Sequence, residues 1–320
     1  MAIVFIGTPA FAVSALKRIV AAGYEVSAVF TQPDRPAGRG RLSTAPAVKA
    51  AAEGLGLPVY QPASLKDSGV VEQLRALAPE MIVGVAYGQL IVPEVLSIPP
   101  RGVLNVHPSL LPRWRGASPV AAAIVAGDEE TGVTIMLMDE GLDSGPILSQ
   151  RVLAISPADT AGSLTEALAE EGADLLAETL PRWLAGEIEP QPQDEPRATV
   201  CRRLSKADGL IDWAQTATEI WRQVRAYNPW PGAHSSLDGE TMSFWRAWPI
   251  DAGAGEPPGT VLAAPDDLPA EAQGAAFVVQ TGHGALAVLE AQRAGRRSLA
   301  SADLLRGMPA LIGRRFSVAE

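Results

Sequence analysis

The first hundred residues repeat one unit, in which a short apolar run gives way to a turn, a helical interval and another apolar run. Ala2 to Ile6 reads AIVFI, Glu25 to Phe30 EVSAVF, Glu80 to Ala86 EMIVGVA and Val103 to Val106 VLNV, with Leu57 to Tyr60 a further short candidate. Runs with so few polar positions suit strands buried on both faces. Helices are predicted between them, over Ala10 to Ala22 and Ser64 to Ala78. Pro9 suits the first turn of the earlier helix and Gly23 its end. Strands separated by helices form βαβ units, so the expected fold is a Rossmann-like α/β domain with a parallel sheet covered by helices. Dinucleotide binding is not implied. Gly7-Thr8-Pro9 supplies one glycine where the fingerprint needs three, no acidic residue ends the second strand, and the P-loop lysine is absent.

At 320 residues the chain exceeds one ordinary domain, so two are expected. A single cysteine, Cys201, leaves no internal disulfide framework and suits a reducing cytoplasm. The first apolar run lacks a basic flank and is too short for a signal peptide, and no run approaches the ~20 apolar residues of a membrane span. A cytoplasmic protein without membrane attachment is expected. The net charge of −10 disfavours a uniformly basic nucleic-acid surface. Basic residues nevertheless cluster at Arg35, Arg39 and Arg41, at Arg202, Arg203 and Lys206, and at Arg293, Arg296 and Arg297. On charge alone these are solvated faces.

Thr160 to Trp183 is predicted as a long helix, with Ser163 and Glu166 as a capping box and Leu164, Leu168, Leu175, Thr179 and Trp183 on one stripe. The proline-rich EIEPQPQDEPR, Glu187 to Arg197, reads as an interdomain linker. Beyond it come a helical stretch near Ala214 to Tyr227, a hairpin at Leu237-Asp238-Gly239-Glu240, and strands at Ala276 to Gln280 and Ala285 to Leu289. Short strands with glycines between them suggest a small barrel. Five of the seven tryptophans lie in this half, and core packing accounts for most of them. His234 and His283 read as surface or turn residues.

The chemistry concentrates between Asn105 and Gly145. Asn105 and His107 sit two apart at the end of an extended run, so their side chains leave the same face. A helical interval follows, then the apolar run Gly132 to Met138, which opens into the loop Asp139 to Gly145 carrying Asp143. An amide, an imidazole and a carboxylate at the ends of two strands make a workable acyl-transfer site. No nucleophilic side chain and no metal cage are implied. Singly, each of the three is an ordinary loop residue; loops at strand ends in α/β sheets are where sites gather.

HPSLLPRWRGASP and MDEGLDSGPI, together with FIGTPAFAV, TQPDRPAGRGRL, RRLSKADGLIDW and VRAYNPWPGA, resemble the 10-formyltetrahydrofolate-dependent formyltransferases over nearly the whole chain. Within that family the resemblance is to members that formylate the amino group of initiator methionyl-tRNA. It implies Asn105, His107 and Asp143 as catalytic residues, with 10-formyltetrahydrofolate as co-substrate and no metal. It also implies that Ser109, Leu110, Leu111 and Pro112 bind the folate and that Tyr87, Gly88 and Leu90 wall the pterin pocket. The loop Thr31 to Ala45 is then the segment that enters the tRNA acceptor end, with Arg39 near the first base pair and Arg35 and Arg41 beside it. The implied domains are a formyltransferase domain over 1–189, a linker over 190–205 and an OB-like tRNA-binding domain over 206–320, in a monomer. Relatives acting on amino sugars or purine-pathway amines share the Asn-His-Asp set, so that set indicates the reaction and not the acceptor. A non-catalytic RNA-binding protein is the reading from another class.

Overall fold

The computed structural model describes residues 2–37, 42–251 and 255–317. The chain folds into two compact units, one formed by 1–119, 130–154 and 165–201, the other by 120–129, 155–164 and 202–320.

Among the described residues, the first unit is built on a seven-stranded sheet. Its order is Ile147–Ala154, Glu130–Leu137, Val103–His107, Met81–Val85, Ala2–Gly7, Glu25–Phe30 and Val59–Tyr60. The last five run parallel, as the apolar runs predict; the first two are antiparallel additions. Ile3, Val4, Phe5 and Ile6 are wholly buried, which is what a central strand covered on both faces requires. The Ala2–Gly7 strand is followed by a strand on one side, and Met81–Val85 lies on its other side. The carboxyl ends of these two central strands therefore flank a topological switch point, where open α/β sheets form their ligand crevice. Thr8 and Tyr87 meet there, with the Thr8 hydroxyl donating to the Tyr87 carbonyl at 2.9 Å. Gly7 is explained by packing and not by phosphate binding. A Cβ at that position would lie 2.8 Å from the Phe5 ring and 2.9 Å from the Ala12 methyl.

The long helix spans Ala161–Leu184. Its cap differs from the predicted pair. Thr160 Oγ1 accepts the Ser163 N–H at 3.1 Å, and Ser163 Oγ accepts the Thr160 N–H at 3.1 Å. The hydroxyl of Ser163 thus fills the place expected for the Glu166 carboxylate, one turn earlier.

The second unit carries a six-stranded antiparallel sheet among the described residues. Ala233–Leu237, Glu240–Ile250, Ala285–Arg293, Phe277–Gln280 and Val261–Ala263 follow one another in space, and Leu299–Ala300 pairs with Ala285–Arg293. Asp238 (φ +51°) and Gly239 (φ +82°) both take left-handed conformations in the predicted hairpin turn, matching the twist of its strands. Register shifts around Arg246 bend the long strand Glu240–Ile250, so the sheet curls into a half-barrel. Residues 314–317 then bridge its two edges. The Ser317 N–H donates to the Ser236 carbonyl at 2.8 Å on one edge, and the Val261 N–H to the Arg314 carbonyl at 2.8 Å on the other. Pairing both edges in this way removes the free strand edges an open sheet would present.

Trp213 lies at the centre of this core, fully buried against Phe244 and Phe316, with its Nε1–H donating to Ser235 Oγ at 3.0 Å. Trp221 and Trp248 pack edge to face at its margin. Trp230 is exposed, an exception to the core packing expected for the tryptophans. His283 is exposed, as expected of a turn histidine. Residues 155–164 join this unit because Arg225 Nε and Nη2 donate to the carbonyls of Asp159 and Ser156 at 2.8 and 2.7 Å. In the first unit, residues 190–201 of the expected linker are hydrogen-bonded into the structure beside the site.

Candidate active site

Val103–His107 pairs with Met81–Val85 on one side and Glu130–Leu137 on the other, with Gly84 opposite Asn105 and His107 opposite Thr134. The two-residue spacing puts Asn105 and His107 on one face, and both reach Asp143. Asn105 Nδ2 stands 3.5 Å from Asp143 Oδ1, and His107 Nδ1 stands 3.6 Å from Asp143 Oδ2. His107 is almost wholly buried and Asp143 half-buried. The three side chains predicted from sequence are therefore together.

The imidazole is oriented from its other side. His107 Nε2 lies 2.9 Å from the Trp114 carbonyl oxygen. A carbonyl only accepts, so Nε2 carries the hydrogen and Nδ1 is the nitrogen that faces the carboxylate. Trp114 reaches this position in a left-handed conformation (φ +61°), and Asp143 does the same (φ +49°). Each such residue costs roughly 1–3 kcal/mol and persists where its surroundings hold it. For Asp143 those surroundings include the Gly116 N–H, which donates to Oδ2 at 2.8 Å. The Gln193 side chain donates to the Asp143 carbonyl at 2.8 Å and to the Gly145 carbonyl at 2.7 Å.

Gly116 (φ +110°) admits no side chain, because a Cβ would run into the Cys201 carbonyl. Cys201 itself is a structural thiol. Burial pushes its pKa up, and its Sγ accepts from the Ser118 N–H at 3.4 Å. It is no nucleophile at neutral pH.

The Ser109–Pro112 segment is braced from the sheet. The buried Thr134 hydroxyl donates to the Ser109 carbonyl at 2.7 Å and accepts from the Leu111 N–H at 3.1 Å and from Gln150 Nε2 at 2.9 Å. Gln150 Nε2 also donates to the Leu111 carbonyl at 2.9 Å. Ser109 and Leu111 are themselves buried, and Ser109 Oγ is bonded to the Arg113 carbonyl at 2.6 Å. Leu110 and Pro112 are half-buried, so they supply whatever apolar wall this segment offers.

The Tyr87–Leu90 segment follows Met81–Val85 at the switch point. Ala86 (φ +46°) and Gly88 (φ +81°) turn it sharply, and Leu90 is 65% exposed. Tyr87 is buried with no hydrogen-bond partner for its hydroxyl, and burial raises its pKa to about 12. The Tyr87 side chain belongs to the apolar cluster that includes Val4, Ile6, Phe30 and Ile82.

Arg35 is exposed, and its Nη2 donates to Gln32 Oε1 at 2.6 Å. Arg39 and Arg41 lie outside the described residues. Among the described residues no group of three or more His, Cys, Asp or Glu side chains is placed to hold a metal ion, and no helix is long and apolar enough to cross a membrane.

Gln193, Gly116, Trp114, Thr134 and Gln150 were not singled out from sequence. RWRG and the linker glutamines carried the only signal, and nothing in it pointed to Asp143.

Residues 1–180 match the formyl transferase family, and residues 203–309 match the formyl transferase C-terminal domain. The chain belongs to the formyl transferase family. Among the relatives of this formyl transferase is the methionyl-tRNA formyltransferase of Chloroflexus aurantiacus, 50% identical over 310 residues, spanning 97% of this chain and 98% of that protein. Its fold is shared by HypX from Aquifex aeolicus in complex with tetrahydrofolic acid (TM-score 0.63, 21% identity, 95% of this chain and 46% of that one). The N-formyltransferase of Helicobacter canadensis in complex with folinic acid and dTDP-3-aminofucose has the same fold (TM-score 0.64, 19% identity, 89% of this chain and 98% of that one).

Proposed function

We propose that this chain transfers the formyl group of 10-formyltetrahydrofolate to the amino group of initiator methionyl-tRNA, yielding N-formylmethionyl-tRNA for translation initiation. The observation that carries this reading is the 50% identity to a methionyl-tRNA formyltransferase over 97% of the chain.

In the proposed chemistry Asn105, His107 and Asp143 are the catalytic residues. A carbon–nitrogen bond forms between the methionyl amine and the formyl carbon, and the bond from that carbon to N10 breaks. Asn105 Nδ2 has one hydrogen toward Asp143 Oδ1 and a second to donate to the oxyanion of the tetrahedral intermediate; one such donor is worth about 2.7–4 kcal/mol. The His107 Nε2–H is spent on Trp114, so in this conformation the ring is not the second oxyanion donor expected from sequence. Its Nδ1 faces Asp143 instead, and the two together take up the proton that the attacking amine loses. That proton is returned to N10 as tetrahydrofolate leaves. Holding two large substrates in register supplies much of the remaining acceleration.

Ser109 to Pro112, Tyr87, Gly88 and Leu90 are proposed to hold the folate, and Arg35, Arg39 and Arg41 to contact the tRNA, where guanidinium groups suit phosphates and base edges. The division of labour proposed is catalysis by 1–189 and tRNA binding by 206–320. The enzyme is taken to act as a cytoplasmic monomer.

Formyl transfer from 10-formyltetrahydrofolate is measured with Met-charged initiator tRNA, an amino-sugar nucleotide or buffer alone as acceptor. Product on the tRNA alone is expected. Product on the sugar overturns the acceptor, formate in every tube indicates a hydrolase, and no reaction anywhere favours a binding module. Arg39→Ala should reduce use of tRNA far more than binding of folate, and equal losses would end the loop assignment.

A further inference from the structure

We propose that Gln193, in the segment that reads as a linker, is a positioning residue for the reaction: its side-chain amide holds the loop that presents Asp143, and Arg115 holds that amide. The inference rests on the formyl-transfer reading above.

The orientation of the amide follows from its neighbours. Nε2 meets the carbonyls of Asp143 and Gly145 at 2.8 and 2.7 Å, and carbonyls only accept. Oε1 meets Arg115 Nε and Nη2 at 3.0 and 2.8 Å, and a guanidinium only donates. Both N–H groups and both oxygen lone pairs of Gln193 are thus used, and a flipped amide would set like against like at all four contacts.

Arg115 is a firm anchor. It is buried, and two of its three remaining hydrogens reach Glu195 as a two-pronged pair, Nη1 to Oε2 at 3.0 Å and Nη2 to Oε1 at 2.6 Å. The guanidinium lowers the Glu195 pKa below the usual carboxylate range, so the partner stays charged. The Arg115 backbone is fixed as well, since Arg115–Gly116 pairs in parallel with Val200–Cys201. Residues 193–201 therefore grip the site twice. Backbone pairing at Val200–Cys201 sets the Gly116 N–H that binds the Asp143 carboxylate, and Gln193 sets the Asp143 backbone in its left-handed conformation. Releasing the second grip lets that backbone relax and swings the carboxylate away from Asn105 and His107, without touching a substrate.

Gln193→Glu is the sharpest variant. It keeps the shape and the partner for Arg115 but replaces two donors with an oxygen facing two carbonyls. Gln193→Met removes the donors without adding charge. With initiator methionyl-tRNA as acceptor, both should lower kcat roughly 10–100-fold, as a displaced catalytic group does. KM for either substrate should change by less than about 3-fold, because no substrate contact is lost. In an Asp143→Asn background the same change should lower kcat by less than about 3-fold, since the group being positioned is already disabled. A purely structural role would multiply the two losses. A readout without turnover runs alongside: the His107 ring nitrogen resonances should shift in Gln193→Glu as the carboxylate leaves. Full kcat with unmoved His107 signals in either folded variant, multiplicative losses, or unfolding of both variants would each overturn the proposal. Wild-type enzyme that fails to formylate tRNA would instead remove the proposed function, and the His107 signals would still judge the positioning.

Discussion

His107 gives its Nε2 hydrogen to the Trp114 carbonyl at 2.9 Å, and this one bond decides which ring nitrogen is left for chemistry. The neutral ring must be the Nε2–H tautomer, with an unprotonated Nδ1 toward Asp143. Nitrogen-15 correlation spectra of the free enzyme with the ring neutral should report that tautomer for His107. A neutral Nδ1–H ring would show that the Trp114 contact does not set the imidazole and would reverse the direction of proton flow argued for the site. His107→Ala should abolish transfer, with circular dichroism unchanged.

Gly116→Ala should damage activity beyond its cost in stability. The added methyl collides with the Cys201 carbonyl and places a substituted residue at φ +110°, a backbone cost of roughly 1–3 kcal/mol. Relief requires Arg115–Gly116 to shift against Val200–Cys201, and that shift moves the N–H that holds Asp143 Oδ2. Denaturation midpoints and kcat measured on the same preparation separate the two losses. A variant that is destabilised yet fully active would mean the Gly116 N–H does not position the carboxylate.

The cluster of Asn105, His107 and Asp143 was legible because each of its members obeys a local rule. Asn105 and His107 share a face by the two-residue period of a strand, and Asp143 sits in a glycine-rich loop at the end of a strand. Gln193 and Thr134 obey no local rule. One lies in a proline-rich segment and the other in an apolar strand, and each acquires meaning only from partners 50 and 25 residues away in sequence. The same holds for the closure of the second sheet by residues 314–317, which depends on two strand edges that composition cannot bring together. The parallel sheet was readable for the opposite reason. Ile3 to Ile6 is apolar at every position, and only burial on both faces allows that.

Tyr87→Phe should leave stability unchanged or raise it slightly, because the hydroxyl it removes is buried without a partner. If the phenol serves the folate, KM for 10-formyltetrahydrofolate should rise by up to about 10-fold, the worth of one neutral hydrogen bond. The burial that lifts the Tyr87 pKa to about 12 keeps it protonated, so the effect should not vary between pH 6 and 9. An unchanged KM would remove Tyr87 from the pterin pocket.

Asp208 should make the second unit sensitive to acid. Its carboxylate accepts from Arg202 Nη1 at 2.9 Å, from the Ser205 N–H at 2.6 Å and from the Ser205 hydroxyl at 2.9 Å. The Arg202 bond is the largest cause holding its pKa far below the ordinary carboxylate value, with the Ser205 bonds adding to it against the opposing effect of burial. A group whose folded pKa is depressed binds fewer protons folded than unfolded, so its stabilisation is complete above the unfolded value near 3.9 and is lost as pH falls toward the folded one. Asp208→Asn cannot titrate and keeps only one accepting oxygen for the capping box. It should therefore be less stable than wild type at pH 7, by about 0.5–2 kcal/mol if the cap dominates. The gap should hold down to about pH 5 and narrow below it as the wild-type carboxylate is protonated in the unfolded chain. Urea denaturation of both proteins from pH 7 to pH 3 measures that gap directly. A difference that stays constant across the range would assign the stabilisation to hydrogen bonds the asparagine cannot copy, and not to the charge of Asp208.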